Sequence, residues 1–317
     1  MSIMLSSTTS SSVLTTLCLL FMSTTQTTLS LSTSTTAPPR PVAIVTGGTR
    51  GIGSGIASAL ADAGYDLLLT FNVDEEAAAK FAATLKCKTE CVGGDISLAA
   101  IRDNVFERLD AKFADQPLAV MVHNAGQYVG ITSDNADGLT GDKMLSFGDG
   151  SLLNEDGTTN FDTLHYYQRL YGEAFVDLCE RSLPRMTSGG SLVGISSPSV
   201  NAAYYGPDPS YSMPGSGKCL MEYSMRIYAL KAAARNINAN VVVPGIVRTE
   251  AWNKLAKKRG LPDEKEMMKG IVDKIVPMKT SMAPRDIGNA VAFLCSDAGR
   301  FITGTVLPVD GGLHLTR

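Results

Sequence analysis

The chain lacks the features that mark several classes of protein. Cations are not in excess: 28 Lys and Arg stand against 31 Asp and Glu, a net charge of −3, and the one short basic run is Lys257-Lys258-Arg259. A nucleic-acid surface needs clustered cations, so no nucleic-acid partner is expected. Histidine is scarce, and His123, His165 and His314 lie far apart. The cysteines, Cys18, Cys87, Cys91, Cys179, Cys219 and Cys295, are scattered. Cys87 and Cys91 are close together but lack a second ligand pair, so no metal site is expected. They read as free, buried thiols.

Charge is also missing from the first 39 residues, which are dominated by Ser and Thr. Their apolar stretch, Val13 to Met22, is too short to span a bilayer and has the length of a signal-peptide core. The positive segment that precedes such a core is absent, as are the arginines of a transit peptide. We read residues 1–39 as a removable targeting leader ending in the stiff linker Ala37-Pro38-Pro39. The mature chain is expected to begin near residues 30–40. The expected route is organellar (plastid) or secretory, and cytoplasmic if the leader carries no address. No stable membrane span is expected in the mature chain. Residues 40–317 fit one large α/β domain.

What is present begins at Val42. Val42 to Gly55 reads VAIVTGGTRGIGSG: an apolar run, a glycine turn, then a helix-like stretch from Gly51 to Gly64. Strand, glycine turn and helix in this order make a phosphate-binding corner. Glycine permits positive φ and close approach of a pyrophosphate to the backbone. The helix N-terminus adds N–H groups and a positive dipole end. The spacing Gly47-x-x-x-Gly51-x-Gly53 differs from the commoner G-x-G-x-x-G. Candidate dinucleotide contacts here are Thr46, Gly47, Thr49, Arg50, Gly51, Ile52 and Gly53.

Strand-like and helix-like stretches then alternate: Asp66–Phe71, Asp74–Lys86, Thr89–Gly94, Leu98–Phe113 and Leu118–His123. The alternation predicts βαβ units and a doubly wound parallel sheet, with ligands at the carboxyl ends of its strands. A cofactor with a free 2′-hydroxyl meets a carboxylate after the second strand. None is there, since Asp74 reads as a helix cap. Arg50 can pair with a 2′-phosphate instead, which favours NADP (NADPH) over NAD. After the third strand, Asp95 can accept from an adenine amino group while a neighbouring N–H at Ile96 meets a ring nitrogen. Asp95 can equally cap the next helix. After the fourth, Asn124 can lock neighbouring strands, and the small Ala125 and Gly126 let the cofactor ribose pass.

Gln127 to Asp162 is longer than a connection needs. Its Asp and Gly residues miss calcium-loop spacing: positions three and five from Asp134 are Ala136 and Gly138, and from Asp149 they are Ser151 and Leu153. The 127–162 insertion reads as a solvated surface segment or as a flap beside the substrate mouth. Phe161–Met186 reads as helix, and Gly189–Ile195 as the fifth strand, followed by Ser196-Ser197. Pro214, Gly215 and Gly217 are poor helix-interior residues, so the next helix is expected to start near Ser216 and to run to about Arg235. Its apolar residues Leu220, Met221, Met225, Ile227, Tyr228 and Leu230 cover more than one face. One face suits the sheet and another a partner subunit, in a homodimer or homotetramer. After the sixth strand, Ala239–Val243, the candidate contacts are Pro244, Gly245, Val247 and Thr249, with Thr249 and nearby amides placed for a nicotinamide carboxamide. The polar excursion Trp252–Lys274 is a candidate substrate lid.

TGGTRGIG, GDI, HNAG, ISS, a Tyr/Lys pair, PGIVRT and PVDGG occur in the order found in short-chain dehydrogenases/reductases. The chain resembles that family over about residues 41–312. The resemblance implies a single-domain Rossmann-type fold with about seven parallel strands, an NAD(P)-dependent oxidoreductase and frequent homotetramers. His123 stands where the family's NNAG motif has its first Asn, and is read as a substituted motif position rather than a base. The family's chemistry uses a tyrosine whose pKa, ordinarily about 10, is lowered by a nearby lysine ammonium. Ordinary members carry Tyr-x-x-x-Lys, but here Pro214 stands four residues before Lys218. The nearest donor upstream is Tyr211, and Tyr-x6-Lys resembles the enoyl-thioester reductases of the superfamily. The family's helix Asn aligns with Arg169.

The implied catalytic set is Tyr211, Lys218 and Ser197, with Lys218 also binding the nicotinamide ribose. Three readings follow. One is reduction of an enoyl thioester. The second is reduction of a 3-oxoacyl group or simple ketone. The third is a lapsed, cofactor-sensing binding protein, motivated by Pro214 and Arg169.

Overall fold

The computed structural model describes residues 39–126, 153–154, 156–159, 161–187, 189–198, 200, 212–250, 256 and 263–316. Among them are seven strands: β1 Val42–Thr46, β2 Asp66–Phe71, β3 Thr89–Gly93, β4 Leu118–His123, β5 Gly190–Ile195, β6 Ile237–Pro244 and β7 Val306–Val309. They form one parallel sheet in the order β3-β2-β1-β4-β5-β6-β7. The helices are α1 Gly51–Asp62, α2 Glu75–Ala82, α3 Ala99–Lys112, α4 Asp162–Tyr167, α5 Ala174–Ser182, α6 Ser212–Ala232, α7 Glu264–Ile275 and α8 Pro284–Leu294. A π-helical turn, Gln168–Glu173, joins α4 to α5.

The strands are continuous apolar runs because helices cover both faces of the sheet. Successive side chains point to opposite faces. Val42 and Ile44 therefore pack with Met121, Phe106 and Phe175, while Ala43 and Val45 pack with Ile56, Leu60 and Ile287. Each fully buried Leu or Ile contributes roughly 1.5–3 kcal/mol at most. Strand order reverses between β1 and β4, which opens a ligand crevice at their carboxyl ends. There Thr46 is in register with His123, and His123 with Gly194.

Helix starts follow local chemistry. The Asp74 carboxylate accepts from the Ala77 N–H at 2.9 Å and caps α2. Asp95 does not cap α3: the helix begins at Ala99 after Leu98. The Asp95 carboxylate instead accepts from the Ser97 N–H at 2.9 Å, closing a turn just beyond β3. The α6 helix also departs from expectation, starting at Ser212 rather than Ser216. Pro214 falls in its first turn, where no N–H partner is needed. Gly217 is kept for packing, because a Cβ there would sit 2.8 Å from the Tyr167 carbonyl carbon.

The two faces of α6 differ as its composition suggests. Met221, Met225 and Tyr228 are buried, while Tyr223 is 63% and Leu230 81% exposed. Helices α1 and α8 meet backbone to backbone. A methyl on Gly55 would collide with the Pro284 carbonyl, and one on Gly288 with the Gly55 carbonyl. No helix among the described residues is long and apolar enough to cross a membrane.

Candidate active site

The crevice is built from loops at the carboxyl ends of β1, β3, β4, β5 and β6. After β1 the glycine turn folds back on itself, with Gly47 at φ +61°. A Cβ on Gly53 would strike the Gly47 carbonyl and lie 2.6 Å from Asn124 Nδ2. No side chain caps the N-terminus of α1, and its first turn holds no acidic residue. Backbone amides and a positive dipole end are thus offered in a cradle that a Cβ would fill, which fits a dinucleotide pyrophosphate. Arg50 is exposed at the mouth of this turn, and Thr49 and Ile52 are half-buried.

One hydrogen-bond network ties the turn to β4. Asn124 Nδ2 donates to the Thr46 and Gly47 carbonyls at 3.0 and 3.1 Å. The Thr46 hydroxyl accepts from the Asn124 and Ala125 amides at 3.0 and 2.9 Å. His123 completes the network: its Nε2 lies 2.9 Å from the Leu170 carbonyl and its Nδ1 2.9 Å from Thr46 Oγ1. A carbonyl only accepts, so Nε2 carries the proton, Nδ1 accepts, and the Thr46 hydroxyl donates to it. Burial drives the His123 pKa down to about 4, partly offset by the bond to Leu170. His123 is a neutral strut with both nitrogens engaged.

After β3, Ile96 is 3% exposed. Arg102 holds this turn by donating to the Ile96 and Ser97 carbonyls at 2.9 Å and to Asp177 at 2.5 Å. After β6, Gly245 N–H donates to Val309 O at 2.9 Å. Val247 bridges to Met282. These contacts bring Thr249 over the glycine turn, where a Cβ on Gly51 would be 3.7 Å from its Cγ2.

At β5 the ammonium of Lys218 donates to the Ile195 and Ser196 carbonyls at 3.1 and 3.3 Å. It is buried, and desolvation lowers its pKa from 10.5 to about 8, with Glu222 opposing the drop. Ser197 is half-buried beside this anchor. Tyr211 lies outside the described residues, as do Tyr204, Tyr205, residues 127–152 of the insertion and most of 251–262.

Three residues at the site are absent from the sequence reading. Glu222 is 4% exposed and accepts from the Ser196 hydroxyl at 2.5 Å. Its signal was a lone carboxylate one turn after Lys218 on an apolar helix. Tyr171 lies under the Lys218 ammonium, 4.6 Å from its ring centroid. Arg169, aligned by eye with the family's helix Asn, is exposed. Arg102 is the third, a cation 7% exposed with no sequence motif around it.

Comparison with known proteins gives the family. A family model described as short chain dehydrogenase matches residues 41–145. A second, described as Enoyl-(Acyl carrier protein) reductase, matches residues 159–314. Among relatives, the 1-cyclohexenylcarbonyl-CoA reductase of Streptomyces collinus is 26% identical over 88% of this chain and 89% of its own length. The enoyl-acyl-carrier-protein reductase (NADH) of Bacillus subtilis is 25% identical over 84% of this chain and 92% of its own. The fold matches L-sorbose reductase from Gluconobacter frateurii, solved with NADPH and L-sorbose, at a TM-score of 0.70 and 23% identity, covering 88% of this chain and 98% of that one. With the glycine cradle, the Asn124 lock and the buried lysine in family order, the chain belongs to the short-chain dehydrogenase/reductase family and is an NAD(P)-dependent oxidoreductase.

Proposed function

We propose that this protein reduces a carbon–carbon double bond conjugated to a carbonyl, in an enoyl thioester, with NADPH as reductant. The observation that carries this reading is the chain position of the proton donor. Pro214 is buried in the first turn of α6, one turn before Lys218, and has no proton to give. The nearest tyrosine upstream, Tyr211, immediately precedes that helix. A donor moved upstream suits an oxygen set back from the carbon that is attacked. When bound, the cofactor supplies a hydride, here to the β-carbon. Negative charge then develops on the thioester oxygen, three bonds from that carbon, where the Tyr211 hydroxyl stabilises it. Lys218 holds the nicotinamide ribose and lowers the tyrosine pKa. The name of the family model over residues 159–314 and those of two relatives favour the same class.

The second reading, reduction of a 3-oxoacyl group or ketone, is favoured by Ser197 at the end of β5. There the serine would hold the carbonyl oxygen while Tyr211 protonates it. NADPH oxidation by the full-length protein, with crotonyl and acetoacetyl thioesters side by side, separates the two. Turnover of acetoacetyl alone rejects the enoyl reading. Tyr211→Phe should cost roughly 10²-fold or more in rate. A protein that binds NADPH yet turns over nothing returns the sensing role. We also propose that the Ser/Thr-rich leader is removed on an organellar or secretory route. Mass spectrometry of native material finding Met1 intact would overturn that.

A further inference from the structure

We propose that Tyr171 is a positioning residue for Lys218, its ring face forming the platform that fixes the ammonium at the carboxyl end of β5. This inference rests on the reductase reading, in which that ammonium binds the cofactor ribose. The Nζ atom lies 4.6 Å from the Tyr171 ring centroid, inside the range in which a cation is held by a ring's quadrupole. Both partners are buried, Tyr171 at 2% and Lys218 at 8% exposure, so water screens little of the attraction. The two carbonyls fix the direction of the ammonium's N–H bonds. The ring acts on its charge.

The ring is itself held in place. Tyr171 stacks on Tyr167 with centroids 6.0 Å apart and planes 6° apart. A Cβ added to Gly126 would meet the Tyr171 hydroxyl at 3.0 Å. The platform therefore meets both α4 and the turn expected to pass the cofactor ribose. The π-helical turn that carries Tyr171 also presents the carbonyl of Leu170 to His123. One widened turn thus meets both the β4 strut and the α6 lysine anchored at the end of β5, and π turns are frequent at functional sites.

The electrostatic surroundings leave this ring something to do. Among the described residues, the titratable groups facing Lys218 are Glu222 from α6, His123 from β4 and Tyr171 itself. His123 is neutral and adds no charge near pH 7. Glu222 favours the ammonium but is also engaged by the Ser196 hydroxyl. Desolvation outweighs Glu222 and brings the lysine to about 8. A lysine pushed further down would be neutral at working pH and lose its charge-assisted bonds to the ribose.

The test uses the full-length protein and follows Lys218 directly by NMR of its labelled side chain, with the signal identified by its loss in Lys218→Met. Tyr171→Phe keeps the ring and should leave the titration midpoint in place. Tyr171→Leu should lower it by about one pH unit. Fluorinated phenylalanines at position 171 keep the shape while draining the ring face, and should lower the midpoint stepwise. NADPH affinity near pH 8 should fall in the same order. A midpoint unmoved by leucine or by fluorination overturns the proposal, and so does Tyr171→Phe falling as far as Tyr171→Leu, which would assign the effect to the hydroxyl. If NADPH fails to bind the unaltered protein, the reductase reading falls while the NMR titration still decides whether ring and lysine are coupled.

Discussion

The same substitution at two glycines should move the protein in opposite directions. Gly53 sits inside the dinucleotide cradle, where a new methyl would collide with the Gly47 carbonyl and crowd Asn124 Nδ2 at 2.6 Å. Both obstacles are rigid, one being backbone and the other tied to two carbonyls. Overpacking of this kind costs about 1–3 kcal/mol. Displacing the Asn124–Gly47 hydrogen bond adds about 1 kcal/mol. Gly53→Ala should therefore lose about 2–4 kcal/mol and lower Tm by roughly 3–7 °C. NADPH affinity should fall by about tenfold or more, because the loop that meets the pyrophosphate is what moves. Gly270 lies in the interior of α7 with nothing within 4 Å of its added Cβ. Gly270→Ala should gain up to about 1 kcal/mol from helix propensity alone and leave NADPH binding unchanged. Thermal unfolding and fluorescence titration of both variants check the pair. Wild-type Tm and NADPH affinity in Gly53→Ala would refute the cradle geometry, and equal losses in both variants would show that position is irrelevant.

Three further outcomes are expected. An unfolded His123 takes up a proton below about pH 6.5, whereas the folded one resists until about 4, so stability is lost as pH falls through that window, by roughly 3 kcal/mol. His123→Asn should be less stable at pH 7 and show a flatter acid limb in denaturant titrations, and an identical limb would remove His123 as its cause. Arg50→Ala should weaken NADPH binding about tenfold and spare NADH; a preference for NADH in the unaltered protein would contradict the assignment. The exposed face of α6, with Tyr223, Ile227 and Leu230 uncovered, should close a dimer or tetramer. Sedimentation of the unaltered protein should show it and Leu230→Glu should weaken it, while a monomer at micromolar concentration would overturn it.

Features set by local rules were legible in the sequence. The strands β1, β2 and β4 are apolar runs ended by turn residues, and their limits agree with the expected ones within a residue. Asp74 was readable as a cap because it directly precedes its helix, three residues from the amide it accepts from. The failures share a cause, which is dependence on distant packing. The start of α6 was placed too late because glycine at 217 was weighed by propensity, while its use is to admit the backbone of Tyr167. Asp95 lies four residues before α3, and only the turn geometry decides that its carboxylate serves Ser97. Tyr171 was missed because its approach to Lys218 depends on the π turn packing against α6, 47 residues away in the chain. Glu222 was overlooked because a carboxylate on a helix ordinarily faces water, and its buried partner is a serine just beyond β5.

The glycine contact between α1 and α8 bears on how the protein is made. Gly55 and Gly288 bring the helix behind the cofactor turn against one encoded near the other end of the domain. During synthesis, the first βα unit leaves the ribosome long before α8 exists. Until then Ile56 and Leu60 lack Ile287 and Val291, with which they share a core cluster. Such long-range closure slows folding, because the loop entropy is lost before the contact forms. A nascent or truncated chain ending before Pro284 should thus carry a complete glycine motif and still fail to hold a nucleotide.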